Sequence, residues 1–169
     1  MIKAALFDLD GVVFDTESQY SIFWGMIGRE YHPEMPDFEY RIKGQTLVQI
    51  YDKYFIDEAV FAHIEGFTGA KEEQAKITAR LDEFEKNMQY EYIAGFEDFI
   101  SDLKQHGVKC AVVTSSNIQK MLNVYERHPE FKAYFDRVLT SEDFAESKPH
   151  PDCYLKGAAY FGVEPEDCV

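Results

Sequence analysis

The chain has 169 residues, enough for one ordinary domain or for a core with a modest insertion, and its hydrophobic fraction of 46% supports a real core rich in Phe and Tyr. A formal net charge of −14, from 31 acidic residues against 17 Lys and Arg, argues against binding to nucleic acid or to an anionic membrane surface. The three cysteines, Cys110, Cys153 and Cys168, are odd in number and lack metal-ligand spacing. They read as reduced and mostly buried, in a cytoplasmic protein that is expected to be a monomer. No signal peptide fits, because Asp8 and Asp10 interrupt the apolar N-terminal run, and no apolar stretch approaches transmembrane length.

In chain order, Lys3–Phe7 reads as a buried strand, and it runs directly into Asp8-Leu-Asp10-Gly11-Val12-Val13. Residues two apart in an extended segment point the same way. Asp8 and Asp10 should therefore project together from the carboxyl edge of a sheet, where open α/β folds bind ligands. Two carboxylates side by side repel each other and call for a metal, a proton or a bound cation. Gly11 lets the backbone turn sharply.

From about Thr16 to about Tyr92 there is no convincing strand. Glu17–Arg29, Leu47–Phe55 and a long stretch from Ala70 to Gln89 are predicted to be helical, the last with a stripe of Ile77, Leu81, Phe84 and Met88. Beyond this insertion, Phe96, Phe99, Ile100 and Leu103 share one face of a helix that stops at Gly107. Val108–Val113 reads as a strand. Asn117–Arg127 is a predicted helix with Met121, Leu122 and Val124-Tyr125 as its apolar side. Arg137–Leu139 is a third strand, and a last helix follows Pro151 through Tyr154, Leu155, Ala158 and Phe161 to Gly162. Strands alternating with helices imply a parallel sheet.

Two further features could carry chemistry. In Val113-Thr114-Ser115-Ser116-Asn117 a buried strand runs into hydroxyls and an amide just before a helix. That is an N-cap cluster, and a helix N-terminus at a sheet's carboxyl edge is also a phosphate site; the two roles are compatible. In Ser147-Lys148-Pro149-His150-Pro151-Asp152, two prolines place Lys148 in a stiff extended loop before a helix. A solvated lysine is the ordinary reading. In so acidic a chain, a counter-charge to clustered carboxylates and a phosphate is the better one. His150 reads as a loop residue, with no second histidine at ligand spacing.

The order of these features resembles the haloacid dehalogenase superfamily, in its phosphatase and β-phosphoglucomutase-like branch. Asp8-Leu-Asp10-Gly11-Val12-Val13-Phe14-Asp15-Thr16-Glu17 is similar to the family's first motif and hinge, Thr114-Ser115-Ser116-Asn117 to the second motif, and Lys148-Pro149-His150-Pro151-Asp152 to the third. The resemblance implies an α/β fold: a Rossmann-like parallel sheet core, residues 1–15 and 93–169, with an inserted helical cap domain, residues 16–92. It implies that Asp8 is the nucleophile and Asp10 the general acid and base. Lys148 would neutralise Asp8 and the phosphate, and Thr114, Ser115, Asn117 and Lys148 would bind phosphate. Mg²⁺ would be held by Asp8 and the Asp10 main-chain carbonyl. Lys43, Gly44 and Thr46 would form a cap loop that reaches the substrate, although the same residues read almost as well as a plain helix-to-helix turn.

The chain departs from the pattern in two places. The family's fourth motif, an acidic pair ending the next strand, is missing: Glu166 and Asp167 precede that strand and read as solvated turn residues, so the chain is expected to be a fragment. The mutases carry a histidine where Tyr20 stands, and an arginine after a Lys-Gly pair where Leu47 follows Lys43-Gly44-Gln45-Thr46. The function expected is a Mg²⁺-dependent phosphatase acting on a small phosphorylated metabolite through an aspartyl phosphate. The alternatives are a β-phosphoglucomutase-like phosphomutase and a catalytically impaired pseudo-phosphatase. Dehalogenase and phosphonatase activities are disfavoured, since those branches lack an aspartate at the position of Asp10.

Overall fold

The computed structural model describes residues 1–146 and 148–169; Ser147, next to the predicted phosphate lysine, lies outside the described residues. In chain order the elements are β1 (Ala4–Phe7), α1 (Glu17–Tyr31), α2 (Phe38–Arg41), α3 (Leu47–Tyr54), α4 (Ala70–Asn87), α5 (Phe96–Gln105), β2 (Lys109–Val113), α6 (Ile118–Arg127), α7 (Phe131–Tyr134), β3 (Arg137–Leu139) and α8 (Asp152–Phe161). Single 3₁₀ turns lie at Glu58–Phe61, Ser141–Asp143 and Pro165–Asp167. The chain divides into two compact units: Met1–Thr16 with Gln89–Val169, and Glu17–Met88.

The first unit is α/β and Rossmann-like. Its strands are parallel in the order β1-β2-β3, with Ala4 opposite Lys109, Phe7 opposite Val112, and Val113 opposite Leu139. On the other side of β1, the Val169 N–H donates to the Ala4 carbonyl (3.0 Å) and the Val169 carbonyl accepts from the Leu6 N–H (2.7 Å). Flanked on both sides and covered on both faces, β2 is apolar without alternation, and Cys110 to Val113 are all fully buried.

The pleat sends neighbours of β1 to opposite faces. Phe7 makes edge contacts with Phe96, Phe99 and Phe135 at centroid distances of 6.2, 6.1 and 5.7 Å. Leu6 turns to α8 at Gly157, where a Cβ would lie 3.0 Å from Leu6 Cδ2 and 3.3 Å from Val113 Cγ1. This close approach decides which side of α8 meets the sheet. The buried positions are Cys153, Gly157 and Ala158, all small residues, while Tyr154 and Leu155 are left exposed. The apolar side expected of α6 is corrected at one position: Met121 and Val124 are buried but Leu122 is exposed.

Two segments link this unit to the helical one, and they run side by side. Phe14 and Tyr92 form an antiparallel bridge. The Asp15 N–H donates to the Glu91 carbonyl (2.8 Å), and the Ile93 N–H to the Val13 carbonyl (2.9 Å). Phe14 is fully buried and stacks on Tyr92 and Phe131.

The second unit is all helical and has its own core. Phe23, Trp24, Ile27 and Tyr31 of α1 pack with Phe38, Ile50, Phe55 and Phe61 and with Ile77 and Leu81 of α4. The stripe expected along α4 is shorter than predicted, since the helix ends at Asn87 and Met88 is extended (φ −61, ψ 147). The short α2 and α7 carry too few residues to display a helical period, and the sequence reading does not contain them.

Helix α1 approaches α2 most closely at Gly28, where a Cβ would stand 2.6 Å from Phe38 Cβ and 3.0 Å from its Cγ. These atoms sit next to the backbone and cannot swing aside. Gly28→Ala gains up to about 1 kcal/mol of helix propensity, but overpacking costs about 1–3 kcal/mol. The expected outcome is a net loss of stability, read as a thermal midpoint lower than wild type by a few degrees. An unchanged or raised midpoint would show that α1 and α2 lie farther apart than described.

Candidate active site

The three strands end at one edge, and the turn after each supplies polar groups. Asp8 directly follows β1. Leu9 points into the core and is fully buried, so Asp8 and Asp10 face outward together as the two-residue period requires. Gly11 makes the turn at φ 72, in the left-handed region that favours glycine. Its N–H donates to the Phe14 carbonyl (2.8 Å), which folds the following segment back beside the two acids.

Each acid has its own lysine. Lys148 Nζ lies 2.8 Å from Asp8 Oδ1 and donates to the Val113 carbonyl at 3.0 Å, so the third predicted motif meets the first. Lys148 lies in a turn, with a cis peptide to Pro149, rather than in the extended loop expected. Asp8 Oδ1 also accepts from the Leu9 N–H at 2.8 Å. Asp8 Oδ2 takes no hydrogen bond among the described residues, and the side chain is 34% exposed. One carboxylate oxygen is thus fixed and the other is available.

Asp10 is held differently. Lys120 Nζ donates to both its oxygens, at 2.5 and 2.6 Å, Thr16 Oγ1 donates to Oδ1 (2.5 Å) and Ser116 Oγ to Oδ2 (3.1 Å). Burial would raise the Asp10 carboxyl. The charge and hydrogen bonds of Lys120, with those of Thr16 and Ser116, outweigh it and hold the group below the usual carboxylate range. Lys120 does not figure in the sequence reading. The available signal was a lysine in the first turn of a helix, where it opposes the macrodipole. A local conflict of that sort marks a position chosen for something else.

The loop after β2 is fixed from several sides. Thr114 is fully buried, and its Oγ1 accepts from the Ser116 N–H at 3.0 Å. Asn117 Oδ1 accepts from the Lys120 N–H at 2.9 Å and so caps α6, while the Ile118 N–H donates to Glu142 at 3.2 Å. Ser115 Oγ is buried without a hydrogen-bond partner among the described residues. A buried hydroxyl left so is costly, and a phosphoryl oxygen would satisfy it. His150, read as a loop residue, accepts from the Asp152 N–H at 3.2 Å.

Lys43, Gly44 and Thr46 belong to the helical unit. Lys43 Nζ pairs with Glu17 at 2.8 Å, Gly44 is left-handed at φ 77, and Thr46 caps α3 in a capping box with Gln49. Tyr20 donates to Glu85 at 2.7 Å. Asp167 is tied to Lys3 at 2.5 Å rather than merely solvated.

For a divalent cation, the described residues contain no group of three or more His, Cys, Asp or Glu placed to hold one. Asp8 Oδ2 and the Asp10 carbonyl, neither taken by a hydrogen bond among those residues, are hard oxygen donors. They fit Mg²⁺, which is bound through one or two carboxylates while keeping several waters. Among the described residues no helix is long and apolar enough to cross a membrane.

The family model of the haloacid dehalogenase-like hydrolases matches residues 2–169. YhcW of Bacillus subtilis (strain 168), named provisionally as a phosphatase, is 28% identical over all of this chain and 74% of its own length. The β-phosphoglucomutase of the same organism is 27% identical over 99% of this chain and 74% of its own length. The crystal structure of CbbY from Rhodobacter sphaeroides in complex with phosphate superposes with a TM-score of 0.68, at 24% identity over all of this chain and 76% of that one, a likeness of fold.

The Asp10 network makes stability depend on pH. A carboxyl whose folded value lies below its ordinary 3.8 stabilises the fold fully above that value, and the contribution is lost as pH falls through the folded one. Asp10→Asn mimics the protonated acid and leaves Lys120 buried without its anion. At about pH 6 the wild type should melt well above Asp10→Asn, with the gap shrinking on acidification below about pH 4. A gap that stays constant down to about pH 3 contradicts the lowered value.

Proposed function

This chain belongs to the haloacid dehalogenase-like hydrolases and is an enzyme of that family, and we propose that it hydrolyses the phosphoric monoester of a small metabolite with the help of Mg²⁺. The observation that carries the reading is Asp8: one oxygen is anchored by Lys148 and the Leu9 N–H, and the other, on a partly exposed side chain, takes no hydrogen bond among the described residues. An anchored carboxylate with a free oxygen is equipped for in-line attack on phosphorus.

In the first half-reaction Asp8 Oδ2 bonds to phosphorus and the ester bond breaks, while Asp10, a carboxylate at rest, passes a proton from the monoanionic phosphate ester to the leaving alkoxide. In the second, Asp10 takes a proton from water, the water oxygen attacks phosphorus, and the bond to Asp8 breaks; inorganic phosphate leaves with that proton, and Asp8 and the Asp10 carboxylate are restored. Lys148 offsets the charge that gathers on Asp8 and the phosphoryl oxygens, where positioning and charge stabilisation carry most of the rate. Thr114, Ser115 and Asn117 hold the phosphate, a reading supported by the unpartnered Ser115 hydroxyl. Held by Asp8 and the Asp10 carbonyl, Mg²⁺ would supply further positive charge at the phosphoryl oxygens. Substrate contacts from Lys43, Gly44 and Thr46, with residues 16–92 acting as a cap, are part of the same proposal.

Phosphomutase action is the second reading, motivated by the likeness to the Bacillus β-phosphoglucomutase. Tyr20 counts against it. It stands where the resembling mutases carry a histidine, and its hydroxyl is committed to Glu85.

Asp8→Asn keeps the shape and removes the nucleophile. With p-nitrophenyl phosphate and Mg²⁺, its turnover should fall by at least about 10³-fold with the melting curve retained. Chelation of Mg²⁺ from the wild type should abolish turnover reversibly. A folded Asp8→Asn within tenfold of wild type, on the order of a lost positioning contact only, sinks the reading.

A further inference from the structure

Resting on the phosphatase reading, we infer that Lys120 is a positioning residue for Asp10, a second site lysine with a task distinct from that of Lys148. Lys120 is the third residue of α6, and its side chain is 1% exposed. Long helical side chains point back toward the N-terminus of their helix, here toward the loop that carries Thr114 to Asn117. Asn117 caps the Lys120 N–H itself, which fixes where the side chain begins. Its ammonium then grips both oxygens of Asp10, while the hydroxyls of Thr16 and Ser116 complete the cradle. A carboxylate held by three side chains from two distant parts of the chain has one orientation in place of the several rotamers open to a loop aspartate.

Stability does not account for such a lysine. A buried ion pair is commonly no better for folding than an apolar pair of the same volume. Nor does Lys120 duplicate Lys148: the ion pairs of the site join Lys148 to Asp8 and Lys120 to Asp10. One lysine serves the group that bonds to phosphorus. The other serves the group that must meet first the leaving oxygen and then the attacking water, and a displacement of about 1 Å there can cost about 100-fold in rate.

The test is a double-mutant cycle on the full chain with p-nitrophenyl phosphate and Mg²⁺, with the binding of inorganic phosphate measured in parallel by calorimetry. Lys120→Met should lower kcat by roughly 10- to 100-fold, with phosphate affinity within about threefold of wild type, since Lys120 acts through Asp10 and not on the phosphate. Lys120→Arg, which can still donate to both oxygens, should restore most of the loss. In an Asp10→Asn background, Lys120→Met should cost less than about twofold more. Additive losses in the cycle, or a loss of phosphate affinity that matches the loss of kcat, would overturn the assignment. So would failure of both Lys120→Met and the Lys120→Met/Asp10→Asn pair to fold while Asp10→Asn alone folds, which would make Lys120 a packing residue. A wild-type chain that does not turn over the probe sinks the phosphatase reading itself; additivity in an active chain sinks only the role given to Lys120.

Discussion

Two carboxylates two residues apart at the end of one strand repel each other, and in this site each is met by a lysine of its own. The rest of the α/β unit can be understood as the means of delivering those cations. Asp8 and Asp10 come from β1, but Lys120 stands one turn into the helix after β2, and Lys148 in the turn before α8. Both lysines reach the acids because β1 and β2 are parallel neighbours in a register that ends them at the same edge. A slip of one residue would turn Asp8 and Asp10 toward the wrong face and leave two lysines without partners. Packing that looks remote from the chemistry enforces this alignment. Gly157 lets α8 sit directly on Leu6 and Val113, and the Phe7 cluster seats α5 against the opposite face.

The helical unit deals with buried charge in the same manner but for a structural end. Glu73 is almost wholly buried in α4, where it accepts from Tyr31 at 3.0 Å and pairs with Lys76 at 2.6 Å. His32, also buried, is held between Glu34 and the Tyr54 carbonyl and stacks on Phe38. Each polar group in this aromatic core has a partner that makes its burial tolerable. Among the described residues the exception is Ser115 Oγ in the α/β unit, which falls at the edge where a ligand is expected.

Much of this was legible in the sequence, and the reasons differ from element to element. The three strands are short apolar runs bounded by polar turns, and each lies within a residue of where the pattern puts it. The long helices are legible from their periodicity. The buried face of α8 is less so, because its close packing on the sheet selects small residues while periodicity scores large ones. Lys120 is the main omission at the site. Its neighbours Met121 and Val124 mark the core face of α6, so a lysine beside them passes for part of the wet face, and only the bond to a carboxylate over a hundred residues away gives it meaning. Local patterns cannot display a contact of that range. The pairing of Lys148 with Asp8 is equally distant, yet legible, because the resemblance to a known family supplied it.

The side-by-side crossings at Phe14 and Tyr92 bear on how the chain can come together. Ala4 must find Lys109, a pairing that closes a loop of about a hundred residues and is slow by the rule that distant contacts retard folding. Glu17–Met88 has its own core. Once that segment is structured, with the Asp15 and Ile93 amides bonded across the gap, its two ends leave as adjacent strands. For the sheet, the whole insertion then counts as a tight turn. The distance along the chain between β1 and β2 shrinks to residues 8–13 before the crossing and residues 93–108, with α5, after it. The crossing thus lets a long insertion sit between β1 and β2 without holding the two paired strands apart.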